Sequence, residues 1–73
     1  MSKYNFMEMN EAGNCFFIEY HYTPDAVVVG VYSDEECNDL VDRYRIPEAY
    51  QLSSEAAVEQ LVSDIVRRNI EYL

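Results

Sequence analysis

The sequence predicts an α+β fold, a small three-stranded antiparallel meander followed by two helices (βββαα) packed on one face of the sheet. Three observations predict it. The front of the chain reads as aromatic and β-branched runs separated by turn clusters, SDEECNDLVDRYR opens with a helix-capping pattern, and the last twenty residues repeat apolar side chains at helical spacing. Seventy-three residues form a single domain, 1–73, with one modest core and a stability of a few kcal/mol.

Tyr4-Asn-Phe-Met-Glu-Met9 alternates weakly and then meets the turn cluster Asn10-Glu-Ala-Gly-Asn14. Cys15-Phe-Phe-Ile-Glu-Tyr-His-Tyr22 follows as an aromatic strand, which makes a hairpin. Thr23-Pro24-Asp25 supplies a second turn, and Ala26-Val-Val-Val-Gly-Val-Tyr32 a third strand. Alternation puts Phe16, Ile18, Tyr20 and Tyr22 on one face and Cys15, Phe17, Glu19 and His21 on the other, wetter one. Val27, Val29 and Val31 share a face directed at the core.

Ser33 and Glu36 have capping-box spacing, and Asp34 and Glu35 suit the positive end of a helix dipole. A first helix is therefore expected, with Cys37, Leu40, Val41 and Tyr44 along its buried face, Arg43 and Arg45 near its C-terminal end, and Pro47 ending it. After a connection over Ile46–Leu52, Ser53 or Ser54 caps a longer helix. Its stripe is Val58, Leu61, Val62, Ile65, Val66, Ile70 and Leu73.

Charge is the unusual property. Fourteen acids against five Lys and Arg give a net charge of −9, and residues 1–42 hold only Lys3 against nine acids. Such a chain is repelled by nucleic acid and anionic lipid but steered towards basic protein surfaces. No apolar leader follows Lys3 and no run approaches the length of a membrane span, so a cytoplasmic chain is expected.

The sequence carries little that resembles catalytic machinery. Two isolated glycines cannot build a phosphate loop. Cys15 and His21 share a strand face but lie six residues apart, roughly 20 Å at strand rise, too far to act as nucleophile and base. The two cysteines lack CxxC spacing and read as buried free thiols, Cys15 in a strand and Cys37 against a helical core. Glu35, Glu36 and Asp39 are close enough on a helix to be weighed as a cation site, but they read more simply as a capped, solvated face. No catalytic residue, metal ligand or cofactor is assigned.

Three classes of function remain: an acidic protein that docks on a larger machine, an anti-restriction or anti-CRISPR type mimic of nucleic-acid phosphate, and a tiny enzyme or metal-binding unit. The candidate partner-binding residues are Asp34, Glu35, Asp39 and Asp42 as an electrostatic surface, with Tyr20 and Tyr22, two of seven tyrosines, as aromatic anchors. Tyr44 is expected in the core, and Tyr72 and Leu73 either frayed or docked.

From MSKYNFMEMN through SDEECNDLVDRYR to IVRRNIEYL the chain resembles the small RNA polymerase-binding transcription factors of lytic Xanthomonas phages. The resemblance spans all 73 positions. It implies a protein of the host cytoplasm that binds host bacterial RNA polymerase at the extreme N-terminus of the β′ subunit, inhibits initiation at host promoters and promotes antitermination. The resemblance carries no individual contact residues. The charge and the lack of catalytic motifs lead to the expectation of no enzyme, no cofactor and no direct contact with nucleic acid or membrane, and a monomer is expected, with dimerisation through the C-terminal stripe as the alternative.

Overall fold

The computed structural model of the protein describes residues 3–47 and 54–73. Among these, four strands form one antiparallel sheet in chain order: β1 (Phe6–Met9), β2 (Cys15–Tyr22), β3 (Val27–Tyr32) and β4 (Leu40–Ile46). One helix follows, α1 (Glu55–Asn69), which tightens into a 3₁₀ turn over Ile70–Tyr72. The expected βββαα plan is thereby corrected to four strands and one α-helix.

The error lies in one segment. Leu40, Val41 and Tyr44 fit a helical stripe, but LVDRYRI also alternates, and over seven residues the two periods are hard to separate. In the structure Asp42, Tyr44 and Ile46 stand opposite Val31, Val29 and Val27, so they share the inner face of the sheet. Pairing with β3 satisfies a ladder that would otherwise leave a valine-rich edge open, a tertiary gain that outweighs weak helix signals. The Ser33 to Glu36 capping box does not form. Ser33 instead directs its hydroxyl to the Asp39 carboxylate and its N–H to the Asp39 carbonyl, 3.1 Å away. Pro47 follows a strand, not a helix. Cys37, expected against a helical core, lies half-buried in the loop with φ at 57°.

The second strand runs as the sequence predicts, and the first is shorter, beginning at Phe6. Asn5 extends the pairing with its backbone N–H on the Ile18 carbonyl at 2.7 Å and its side-chain oxygen on the Tyr20 N–H at 3.0 Å. The turn from β1 to β2 is held by Asn10, whose Oδ1 accepts the Asn14 N–H, and by Gly13 at φ 89°, a conformation glycine adopts without a Cβ penalty.

The core is sheet against helix. Phe16, Ile18, Tyr20, Val27, Val29, Val31 and Ile46 project from the inner face onto Val58, Val62, Val66 and Ile70. These four recur every fourth residue and form one ridge along α1 and the 3₁₀ turn that continues it. Leu61 and Ile65 pack at its margin, whereas Leu73, expected in the same stripe, is exposed, as is Tyr72. Each fully buried aliphatic side chain contributes roughly 1.5–3 kcal/mol.

Polar contacts fix the helix in place. Ser54 caps it by accepting the Ala57 N–H at 3.2 Å, which identifies the capping serine; Ile46, expected to open the connection, instead ends β4 in the core, and residues 48–53 are outside the described residues. Glu8, on the inner face of β1, accepts from Ser63 Oγ at 2.8 Å and from Arg67 Nε at 3.3 Å. At the other end the buried Asn10 amide donates to the Ile70 carbonyl at 3.1 Å, satisfying an acceptor the helix end leaves free. No described helix is long and apolar enough to cross a membrane.

Replacing Ile70, fully buried beneath the sheet, by Ala should cost ~2–5 kcal/mol in urea unfolding followed by circular dichroism. Leu40→Ser, on the solvent side of β4, should stay within about 0.5 kcal/mol of the wild type.

Candidate docking surface

The loop Ser33–Asp39 joins β3 to β4 and holds three of the four acids expected to form an electrostatic surface. It is a folded loop, built on one carboxylate. Asp34 accepts the Asn38 N–H at 2.9 Å and the Asp39 N–H at 2.8 Å, and its carbonyl accepts the Cys37 N–H at 3.2 Å. Aspartate competes well for such backbone donors, which is why it favours turns over helix interiors. Asp39 in turn accepts the Ser33 hydroxyl. Asp34 and Asp39 therefore use their charge to hold the loop.

Glu35 and Glu36 lie exposed in the same loop, with no side-chain hydrogen bond or ion pair among the described residues, and so are the acids of this loop left available to a partner. Asp42 stands apart. It is half-buried on the inner side of β4, opposite Val31, and its Oδ1 accepts the Arg43 N–H at 2.8 Å. The helical face that was to gather these acids does not exist; a loop gathers Asp34, Glu35 and Asp39, and the sheet sends Asp42 elsewhere.

The two aromatic anchors also separate from the acids. Tyr20 is 7% exposed and belongs to the core. Tyr22 is open to solvent, but it stands at the far end of β2, with its ring edge-on to that of Tyr20 at 6.3 Å. Phe17, not Tyr22, is level with the loop, because it pairs with Tyr32 immediately before Ser33. Tyr22 is five residues further on, roughly 17 Å along the strand.

Sequence reasoning missed the outer face of the sheet. Helix α1 covers only the inner face, and among the described residues no element packs on the other. Met7, Met9 and Leu40 are 49%, 63% and 48% exposed. Tyr4 sets its ring edge against Phe17 at 5.1 Å, and Tyr32 lays its ring over Gly30, where an added Cβ would stand 2.8 Å from Tyr32 Cε2. The signal was present in the apolar residues on both faces of the first hairpin, Met7 and Phe17 outside as well as Phe6 and Ile18 inside.

A cleft of about 420 Å³ opens between β4 and α1, lined by Asp42, Tyr44, Ile46, Pro47, Ile65 and Asn69 among others. Tyr44 packs on the core as the sequence predicts. Its hydroxyl oxygen is buried with no hydrogen-bond partner among the described residues, and burial first, then the charge of Asp42, pushes its pKa well above the usual tyrosine range. At the turn from β2 to β3, Arg45 reaches Asp25 at 2.6 Å. The Arg45 hydrogen bond, followed by that from Thr23, holds the Asp25 carboxyl below its ordinary value of 3.8.

Among the described residues no group of three or more His, Cys, Asp and Glu is gathered to hold a metal ion. Both cysteines are free and half-buried. No protein-family model, curated protein or solved structure matches this chain.

Tyr44→Phe removes a buried hydroxyl that has no hydrogen-bond partner among the described residues and should raise stability by about 1 kcal/mol in the same urea assay. Because folding lowers the Asp25 pKa, its contribution is present above pH 3.8 and is lost as pH falls through the lower folded value. A carboxyl NMR titration should place the Asp25 midpoint below 3.8, and Arg45→Gln should move it upward.

Proposed function

We propose that this chain is a non-catalytic docking protein that binds bacterial RNA polymerase, inhibits initiation at host promoters and promotes antitermination. The observation that carries the docking part is a net charge of −9 presented with two exposed, uncommitted glutamates, Glu35 and Glu36, in a loop whose backbone is held by Asp34. An acidic surface on a shaped loop suits a basic protein surface, and polymerase is basic where nucleic acid passes. The resemblance to the phage transcription factors supplies the partner and points to the N-terminus of its β′ subunit.

Such a protein works without chemistry of its own. Binding one conformational state of polymerase more tightly than another shifts the enzyme towards that state. Favouring the elongating state over the promoter-engaged state lowers initiation and opposes release at terminators together. The activity is that of the host cytoplasm, and the binding unit is a monomer.

Tagged protein incubated with bacterial lysate at low and moderate salt should retain RNA polymerase subunits, identified by mass spectrometry. Glu35→Lys with Glu36→Lys should weaken the capture at least tenfold, most at low salt, while the circular dichroism spectrum is unchanged. Recovery of a nuclease or CRISPR complex without polymerase would overturn this reading in favour of a nucleic-acid mimic.

A further inference from the structure

The strand registers order the outer face of the sheet into rows. Met9 and Cys15 form one row, and Met7, Phe17, Tyr32 and Leu40 the next. Glu19, Gly30 and Arg43 make a third, and His21, Val28 and Arg45 a fourth. The face is therefore polarised: apolar in the half that borders the Ser33–Asp39 loop, polar in the half that borders the turn at Pro24.

We propose that the apolar half, bounded by Met7, Phe17 and Leu40 and flanked by Glu35 and Glu36, is the surface that receives an extended partner segment carrying an apolar residue between Lys or Arg side chains. This rests on the docking function proposed above and names its surface.

Two independent features meet here. The first is apolar area without cover: three aliphatic side chains about half exposed or more, beside the Tyr4, Phe17 and Tyr32 rings. Methionine is the side chain best suited to fit an apolar partner group, because its unbranched thioether adapts its shape. The second feature is the charge at the border. Glu19 stands in the row next to the apolar ones, and the loop begins one residue after Tyr32. After burial, the charges of Glu19 and Asp34 are among the causes that push the Cys37 thiol and the Tyr32 hydroxyl up, opposed by Lys3 at Cys37 and by Arg43 at Tyr32, so these acids lie near the apolar rows and outweigh the cations there.

Complementarity selects the occupant. Of the cations on this side, Arg45 is already committed to Asp25, Arg43 stands outside the apolar rows, and Lys3, close enough to act on the Cys37 thiol, is a single lysine against Glu19, Asp34, Glu35 and Glu36. Nucleic acid and anionic lipid would meet Glu19, Glu35 and Glu36 with like charge. A second copy overlapping the apolar rows would bring two acidic loops together, each on a chain of charge −9. A basic segment with an apolar anchor satisfies both features at once.

The test uses the whole chain in three forms: wild type, Met7→Ser with Leu40→Ser, and Gln60→Ala on the solvent side of α1. Each is first shown to unfold at the wild-type urea concentration. Titrated against purified bacterial RNA polymerase, the double variant should bind at least tenfold more weakly and Gln60→Ala as the wild type does. Undiminished binding by the double variant overturns this surface and leaves the polymerase reading standing.

If the wild type does not bind polymerase, that reading falls, and the surface is decided by ¹H–¹⁵N NMR with a synthetic peptide of alternating leucine and arginine. Shifts confined to the amides of Met7, Phe17, Glu35 and Leu40 support the surface. No shifts, or shifts on α1, overturn it. A concentration-dependent dimer in sedimentation velocity that the double variant abolishes would also overturn it, because a second copy would then be the occupant.

Discussion

The contact between the branched ridge of α1 and the inner face of the sheet is the constraint on which the rest of the molecule depends. Val58, Val62, Val66 and Ile70 meet three valines of β3 and the inward residues of β2. Almost all of these side chains are β-branched or aromatic, with few rotamers to lose on burial. A helix of fifteen residues is roughly 22 Å long, and four strands are roughly 15 Å across, so a single helix can cover one face of this sheet and no more. The exposed outer face follows from that geometry and from the absence of a second helix among the described residues.

The polar anchors make the packing specific to one arrangement. A valine ridge on a valine face tolerates sliding, since aliphatic contacts have little direction. Glu8 on β1, joined to Ser63 and Arg67, and Asn10 at the hairpin, joined to the Ile70 carbonyl, pin both the middle and the end of α1. Glu11 adds a backbone bond to the Glu71 carboxylate at 3.1 Å. The first hairpin thus clamps the last helix, and the chain closes on itself across nearly its full length.

Acidity does two different jobs in the Ser33–Asp39 loop. Asp34 substitutes for missing backbone pairings, Asp39 ties in the Ser33 hydroxyl, and Glu35 and Glu36 are left to the solvent. Counting charges does not separate these roles, because an aspartate that accepts two N–H groups and a glutamate that accepts none look alike in a composition. The same loop also displaces the expected helix: once the Asp34 carboxylate takes the Asn38 and Asp39 N–H groups, those donors are pointed into a turn and β4 begins at the next residue, Leu40.

The sequence by itself determined β2 and β3, the inward direction of Val27, Val29 and Val31, the α1 stripe with a serine cap at Ser53 or Ser54, the core position of Tyr44 and the strong negative charge. These are local quantities, set by the period of apolar residues, by turn chemistry and by a count of ionisable groups. Only the tertiary structure decided that LVDRYRI is a strand, that Tyr20 is buried, that Asp42 faces inward away from Glu35, and that Met7, Phe17 and Leu40 share one open face. Each of those depends on which strand lies alongside which and on how many faces one helix covers. Hydrogen bonds between segments far apart in the chain settle such questions, and no window of neighbouring residues contains them.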